Sequence, residues 1–131
     1  EVSRIAIHPN YGVLGQDSDI AMIVLRTALP LGANIQQAPI IGEGIYLPTG
    51  LTLNLVGWGT TTEGGLIGDN NLYQLEVLTV SENACLNTYI SDSTITENMF
   101  CVRRLGADGL DFDSRDCGSP LFYSNTVAGI A

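Results

Sequence analysis

The sequence predicts an all-β domain with one short helix, on three observations. Apolar residues come in short runs rather than in long periodic stretches. Gly, Pro and Asn clusters punctuate those runs. Only the segment after Ser81 carries a helix start signal. Taken in order, Val2 to Ile7 alternates well enough to be a strand, and His8-Pro9-Asn10-Tyr11-Gly12 closes it as a loop. Ile20 to Leu25 is continuously apolar and reads as a strand buried on both faces. Pro30 to Pro48 mixes prolines and glycines with apolar residues, the composition of an extended connector. Leu51 to Trp58 is a further strand, and Gly59 to Asn71 a long polar loop. Leu72 to Val80 alternates, with Leu75, Val77 and Thr79 on one face and Gln74, Glu76 and Leu78 on the other. Ser81 then offers an N-cap for a helix from Glu82 to about Tyr89, with Glu82 in its first turn. Met99 to Arg103 and Leu121 to Ala131 supply the last strands, separated by a Gly/Asp-rich loop.

A chain of 131 residues has room for one domain and one core, and its 45% hydrophobic and 15% charged residues suit a folded protein. Five basic residues face fourteen acidic ones, for a net charge of -9. Such a surface repels nucleic-acid phosphates and anionic membranes alike. All five basic residues are Arg. The absence of Lys excludes the P-loop, Schiff-base chemistry and the protein-kinase scheme from this chain. His8 is the only His, so a His-driven reaction or a His-bearing metal site within the chain would have to use it. No apolar run approaches the roughly 18 residues of a membrane span. The chain opens on Glu1 directly into strand-like sequence, as a mature or clipped product would. Neither a cofactor nor a metal is expected.

Two features stay open at this level. Cys85, Cys101 and Cys117 allow one disulfide and leave one thiol, or are three buried thiols. Four Asp fall within Asp108 to Asp116. A solvated loop is the plain explanation of that cluster and a calcium loop the sharper one, although the spacing matches no EF-hand.

Three stretches, in order, resemble the chymotrypsin/trypsin-like serine proteases. Arg4-Ile5-Ala6-Ile7-His8-Pro9-Asn10-Tyr11 followed by Asp17-Ser18-Asp19-Ile20-Ala21-Met22-Ile23-Val24-Leu25 looks like the strand region with the catalytic Asp. Val56-Gly57-Trp58-Gly59 looks like the strand opening the second barrel. Ile95-Thr96-Glu97-Asn98-Met99-Phe100-Cys101-Val102, then Asp116-Cys117-Gly118-Ser119-Pro120-Leu121, looks like the approach to the nucleophile. The resemblance implies a trypsin-like antiparallel β-barrel, the second barrel with part of the first. Residues 1–30 would end the first barrel, 31–50 connect the barrels and 51–131 form the second, without its last strand and closing helix. Another polypeptide completing the barrel, the His-bearing N-terminal chain in particular, is the expected partner.

Residue by residue, the resemblance puts Asp19 at the triad Asp, which holds a His in its tautomer; the plainer reading is a turn-capping Asp. His8 matches a surface loop rather than the catalytic base. Cys117 stands where the nucleophilic Ser belongs. It is either the nucleophile of a Cys protease or a thiol left by loss of function. Arg115 replaces the Gly whose N–H, with that of Cys117, would form the oxyanion hole. Ser119 is a second departure from Gly in the same turn. Asp116 matches the activation-pocket carboxylate, and Asp111 the base of the substrate pocket, implying Arg or Lys side chains. Cys85 and Cys101 match a family disulfide worth about 3 kcal/mol, which favours a secreted, extracellular protein. Leu53 and Tyr123 take the two positions of another family disulfide, and Asp113 that of a further cysteine.

The expected function is therefore a non-catalytic serine protease homologue that binds protein substrates or protease partners. The alternatives are one chain of a trypsin-like endopeptidase whose His lies on another polypeptide, and a storage or structural protein.

Overall fold

The computed structural model describes residues 1–59, 70–88, 95–105 and 116–131. It is mostly β-structure with one short helix, as the sequence predicts. Its residues group into two compact units, Glu1–Gln37 with Glu82–Phe100, and Ala38–Ser81 with Cys101–Ala131.

The first unit holds β1 (Val2–Ile7), β2 (Ala21–Leu25) and α1 (Glu82–Thr88). β1 and β2 pair antiparallel, Ile5 opposite Ile23 and Ile7 opposite Ala21, as a two-stranded sheet. Main-chain bonds extend the ladder at both ends, from His8 N to Ile20 O (3.0 Å) and from Arg26 N to Glu1 O (2.9 Å). An exposed Arg26–Glu1 ion pair sits at the open end. The expected double-sided burial of the Ile20–Leu25 run is corrected here: Ile5, Met22 and Ile23 are 61%, 69% and 64% exposed. None of the described residues buries the run. A bare pair of strands of this kind is marginal in water by itself.

The second unit holds the core. Five strands, β3 (Thr52–Gly57), β4 (Tyr73–Val80), β5 (Cys101–Arg104), β6 (Pro120–Tyr123) and β7 (Thr126–Ile130), form one sheet in the order β5-β4-β3-β6-β7. Every pairing is antiparallel. Side chains alternate across β3, so Leu53, Leu55 and Gly57 are buried while Thr52, Asn54 and Val56 are not. Leu53, Leu55, Val77, Leu121 and Ala128 make the core, with Ile41, Leu47, Leu51, Leu75 and Val102 packed around it. Thr79 is its buried polar member. Its hydroxyl donates to Pro48 O (2.6 Å) and accepts from Leu51 N (2.9 Å), which satisfies the group and ties the connector to β4.

The last strands differ from expectation in detail. β5 begins at Cys101 because Met99 N is used in a turn, bonding Thr96 O (3.0 Å). The Leu121–Ala131 run breaks into a hairpin at Ser124–Asn125, with Ser124 at φ 54°, the sign that a type II′ loop requires. Register carries Leu53 and Tyr123 toward one another across β3 and β6, but only Leu53 is buried.

Candidate functional site

The turn from Asp116 to Ser119 is built by three main-chain bonds. Ser119 N donates to Asp116 O (2.8 Å), Gly118 N to Ala131 O (2.8 Å) and Ala131 N to Ser119 O (2.9 Å). The turn is thereby sewn to the end of β7. Gly118 takes φ +87°, a left-handed conformation that a Cβ would strain. The result lifts residue 117 to the surface, where Cys117 is exposed and its thiol free. Cys85 and Cys101 are disulfide-bonded.

Beneath that turn, the Asp116 side chain lies over the main chain of Gly57 and Gly59. A Cβ at Gly57 would stand 2.6 Å from Ser119 Oγ and 2.9 Å from Asp116 Oδ1, and one at Gly59 2.5 Å from Asp116 Cγ. These two glycines, part of the Val56-Gly57-Trp58-Gly59 stretch, form a seat for the carboxylate, a role for which a single sequence carries no signal. Among the described residues Asp116 has no ion-pair partner.

We expect Gly59→Ala to cost about 1–3 kcal/mol by overpacking this seat, because a Cβ there would overlap the whole Asp116 carboxyl group and force that side chain out of its place over the two glycines. Gly32→Ala is the control, since a Cβ there meets nothing within 4 Å. Denaturant unfolding of the two variants checks the difference.

Asp19 belongs to the other unit. It is exposed on the loop that enters β2, where Ile20 N bonds Ser18 O (2.8 Å) and Ser18 is held at φ 58°. His8 is exposed at the end of β1, its main chain on Ile20 O and its Nδ1 accepting from Asn10 N (3.2 Å). The more constrained carboxylate on this loop is Asp17, which the sequence did not single out. It accepts from Thr96 Oγ1, from Asn98 Nδ2 through both oxygens (3.1 and 3.3 Å) and from Ser18 Oγ (3.1 Å). These bonds, Thr96's first, hold its carboxyl below the ordinary Asp value of 3.8. Arg115, Asp111, Asp113 and all of the Asp108–Asp116 cluster except Asp116 lie outside the described residues. Among the described residues no group of three or more His, Cys, Asp and Glu is placed to hold a metal ion, and no helix is long and apolar enough to cross a membrane.

Comparison with known proteins decides the family. The family model described as Trypsin matches residues 1–131. The chain belongs to the trypsin family. It is 35% identical to a trypsin of Phaedon cochleariae over 99% of this chain and 50% of that protein. It is 36% identical to trypsin CFT-1 of Choristoneura fumiferana, over 96% of this chain and 49% of that one. Among solved structures it resembles neuropsin, a serine protease expressed in the limbic system of mouse brain, with a TM-score of 0.86 and 28% identity over 99% of this chain and 57% of that one. The chain thus has the trypsin-like fold and spans about half the length of the trypsins it matches.

Proposed function

We propose that this protein keeps the serine-protease scaffold without its peptide hydrolysis and acts by binding other proteins. The observation that carries this reading is the 116–119 turn, which retains a tight main-chain frame while presenting a thiol at residue 117. A cysteine attacks a peptide carbonyl only as a thiolate stabilised by an imidazole or another cation, and the chain's one His spends its Nδ1 on Asn10. Arg115, preceding Asp116 in place of Gly, adds a Cβ where one oxyanion donor belongs, and loss of such a donor costs about 3 kcal/mol of transition-state stabilisation. Ser119 changes the same turn again. Cys117, Arg115 and Ser119 depart from the family motif within this chain, whatever supplies an imidazole.

The apolar faces of β1 and β2 support a partner. Ile5, Ile7 and Ile23 on one face and Met22 on the other are more than half exposed, apolar surface that a further polypeptide segment would cover. The segment that completes the barrel, bearing the family's His, is the occupant this reading names. The disulfide at Cys85 and Cys101 supports a secreted, extracellular setting. A second reading, one chain of a working endopeptidase, is favoured by the exposure of Cys117 on an otherwise intact turn.

The binding half of the proposal is tested by size-exclusion chromatography with light scattering, after mixing the protein with an active trypsin and, separately, with a protein inhibitor of trypsins. A complex with either, leaving the inhibitor uncut, is the expected result. No complex with either, or a cleaved inhibitor, contradicts it.

A further inference from the structure

The first unit joins two pieces of chain distant in sequence, Glu1–Gln37 and Glu82–Phe100. Side-chain hydrogen bonds between those pieces converge on one residue. Thr96 Oγ1 and Asn98 Nδ2 both donate to Asp17, across separations of 79 and 81 positions. Asn98 reaches both carboxylate oxygens, and Ser18 Oγ fixes one of them from Asp17's own side. The partner turn is itself ordered, with Met99 N on Thr96 O. On the other piece, Asp17 N bonds Leu14 O (2.9 Å) and the chain passes through Ser18 and Asp19 into the β1–β2 ladder.

We propose that Asp17 is the clasp that holds the Thr96–Asn98 turn on the loop leading to Asp19, and so is the positioning residue for that carboxylate. All its donors are neutral: two hydroxyls, the Asn98 amide and the Ser18 main-chain N–H. The other titratable groups of the two turns are Asp19, on its own loop, and Glu97, between Thr96 and Asn98, and neither bonds Asp17. His8, at the neighbouring end of β1, is engaged by Asn10. The clasp consequently depends on the charge of one carboxyl. That carboxyl titrates below 3.8 when folded, so the clasp's contribution is whole above that pH and is lost as pH falls through the lowered value. The clasp does not depend on the chemistry at Cys117.

Amide hydrogen exchange tests this, read at Ile20 and Met99, with Leu55 in the core as the internal reference for folding. Asp17→Ala should lower protection at both turns about threefold at neutral pH, the scale of an exposed charge-assisted contact, while Leu55 stays protected. Asp17→Asn keeps an acceptor oxygen but loses the charge, so at neutral pH it should show the reduced protection that the unsubstituted protein shows in acid. It should also abolish the acid-induced loss that the unsubstituted protein shows below pH 3.8. Should Asp17→Ala fail to fold, Thr96→Val and Asn98→Ala each remove one donor and should move the acid step upward toward 3.8. Unchanged protection in Asp17→Ala overturns the proposal. So does an acid step that persists in Asp17→Asn, or one that neither donor variant moves.

Discussion

Incubated with a peptidyl-arginyl 4-nitroanilide, the purified protein releases product at least about 10⁴-fold more slowly than a trypsin assayed beside it. The size of the effect follows from where the departures fall. Nucleophile, base and oxyanion donors act as a unit, so losing one member forfeits nearly the whole benefit of the others. Cys117 alters the nucleophile, Arg115 alters an oxyanion donor position and Ser119 alters the turn that holds both. A tight 116–119 turn does not compensate, because a main-chain frame orients an attacking atom without making it reactive. Turnover within about tenfold of trypsin, measured as kcat/KM, would mean that the thiol is activated and that the endopeptidase reading is the right one.

The second large effect is on stability. Leu53→Ala should lower the unfolding free energy by about 3 kcal/mol, within the roughly 2–5 kcal/mol that a Leu truncation in a packed core costs. Leu53 is 0% exposed on β3, the strand between β4 and β6, at the centre of the core that the sheet and the connector residues Ile41, Leu47 and Leu51 pack around. Ile7→Ala deletes a side chain of equal size from a residue 63% exposed and should cost much less. Urea unfolding of both variants measures the contrast, and equal losses would mean that β1 is as well packed as β3.

Most of the fold was legible because a half-buried strand writes its burial as alternation. β3 and β4 read directly from Leu53, Leu55, Val77 and Thr79. The exposure of β2 was not legible, because Ala-Met-Ile-Val-Leu is the same string whether or not anything covers it. Composition records what a strand is made to pack against, not whether the packing partner is at hand. The β6–β7 turn was hidden for a different reason: Ser124 adopts the left-handed conformation without the Gly or Asn-Gly that advertises it.

Local motifs drew residues 116–119 and Asp19 out of the sequence as candidates, since each sits in a short contiguous pattern. The Asp116 seat and the Asp17 clasp were out of reach. Gly57 and Gly59 are separated by nearly 60 positions from the carboxylate they accommodate, and Thr96 by 79 from the one it binds. Single-sequence patterns carry no signal for pairings of that span.

The measurement closest to the central claim is intact-mass spectrometry of the native protein after parallel exposure to a fluorophosphonate and to iodoacetamide, with peptide turnover followed in the same samples. The expected result is one carbamidomethyl adduct, mapped to the exposed Cys117, no phosphonate adduct, and no turnover before or after alkylation. A phosphonate adduct, or peptide turnover that disappears when Cys117 is alkylated, would contradict it.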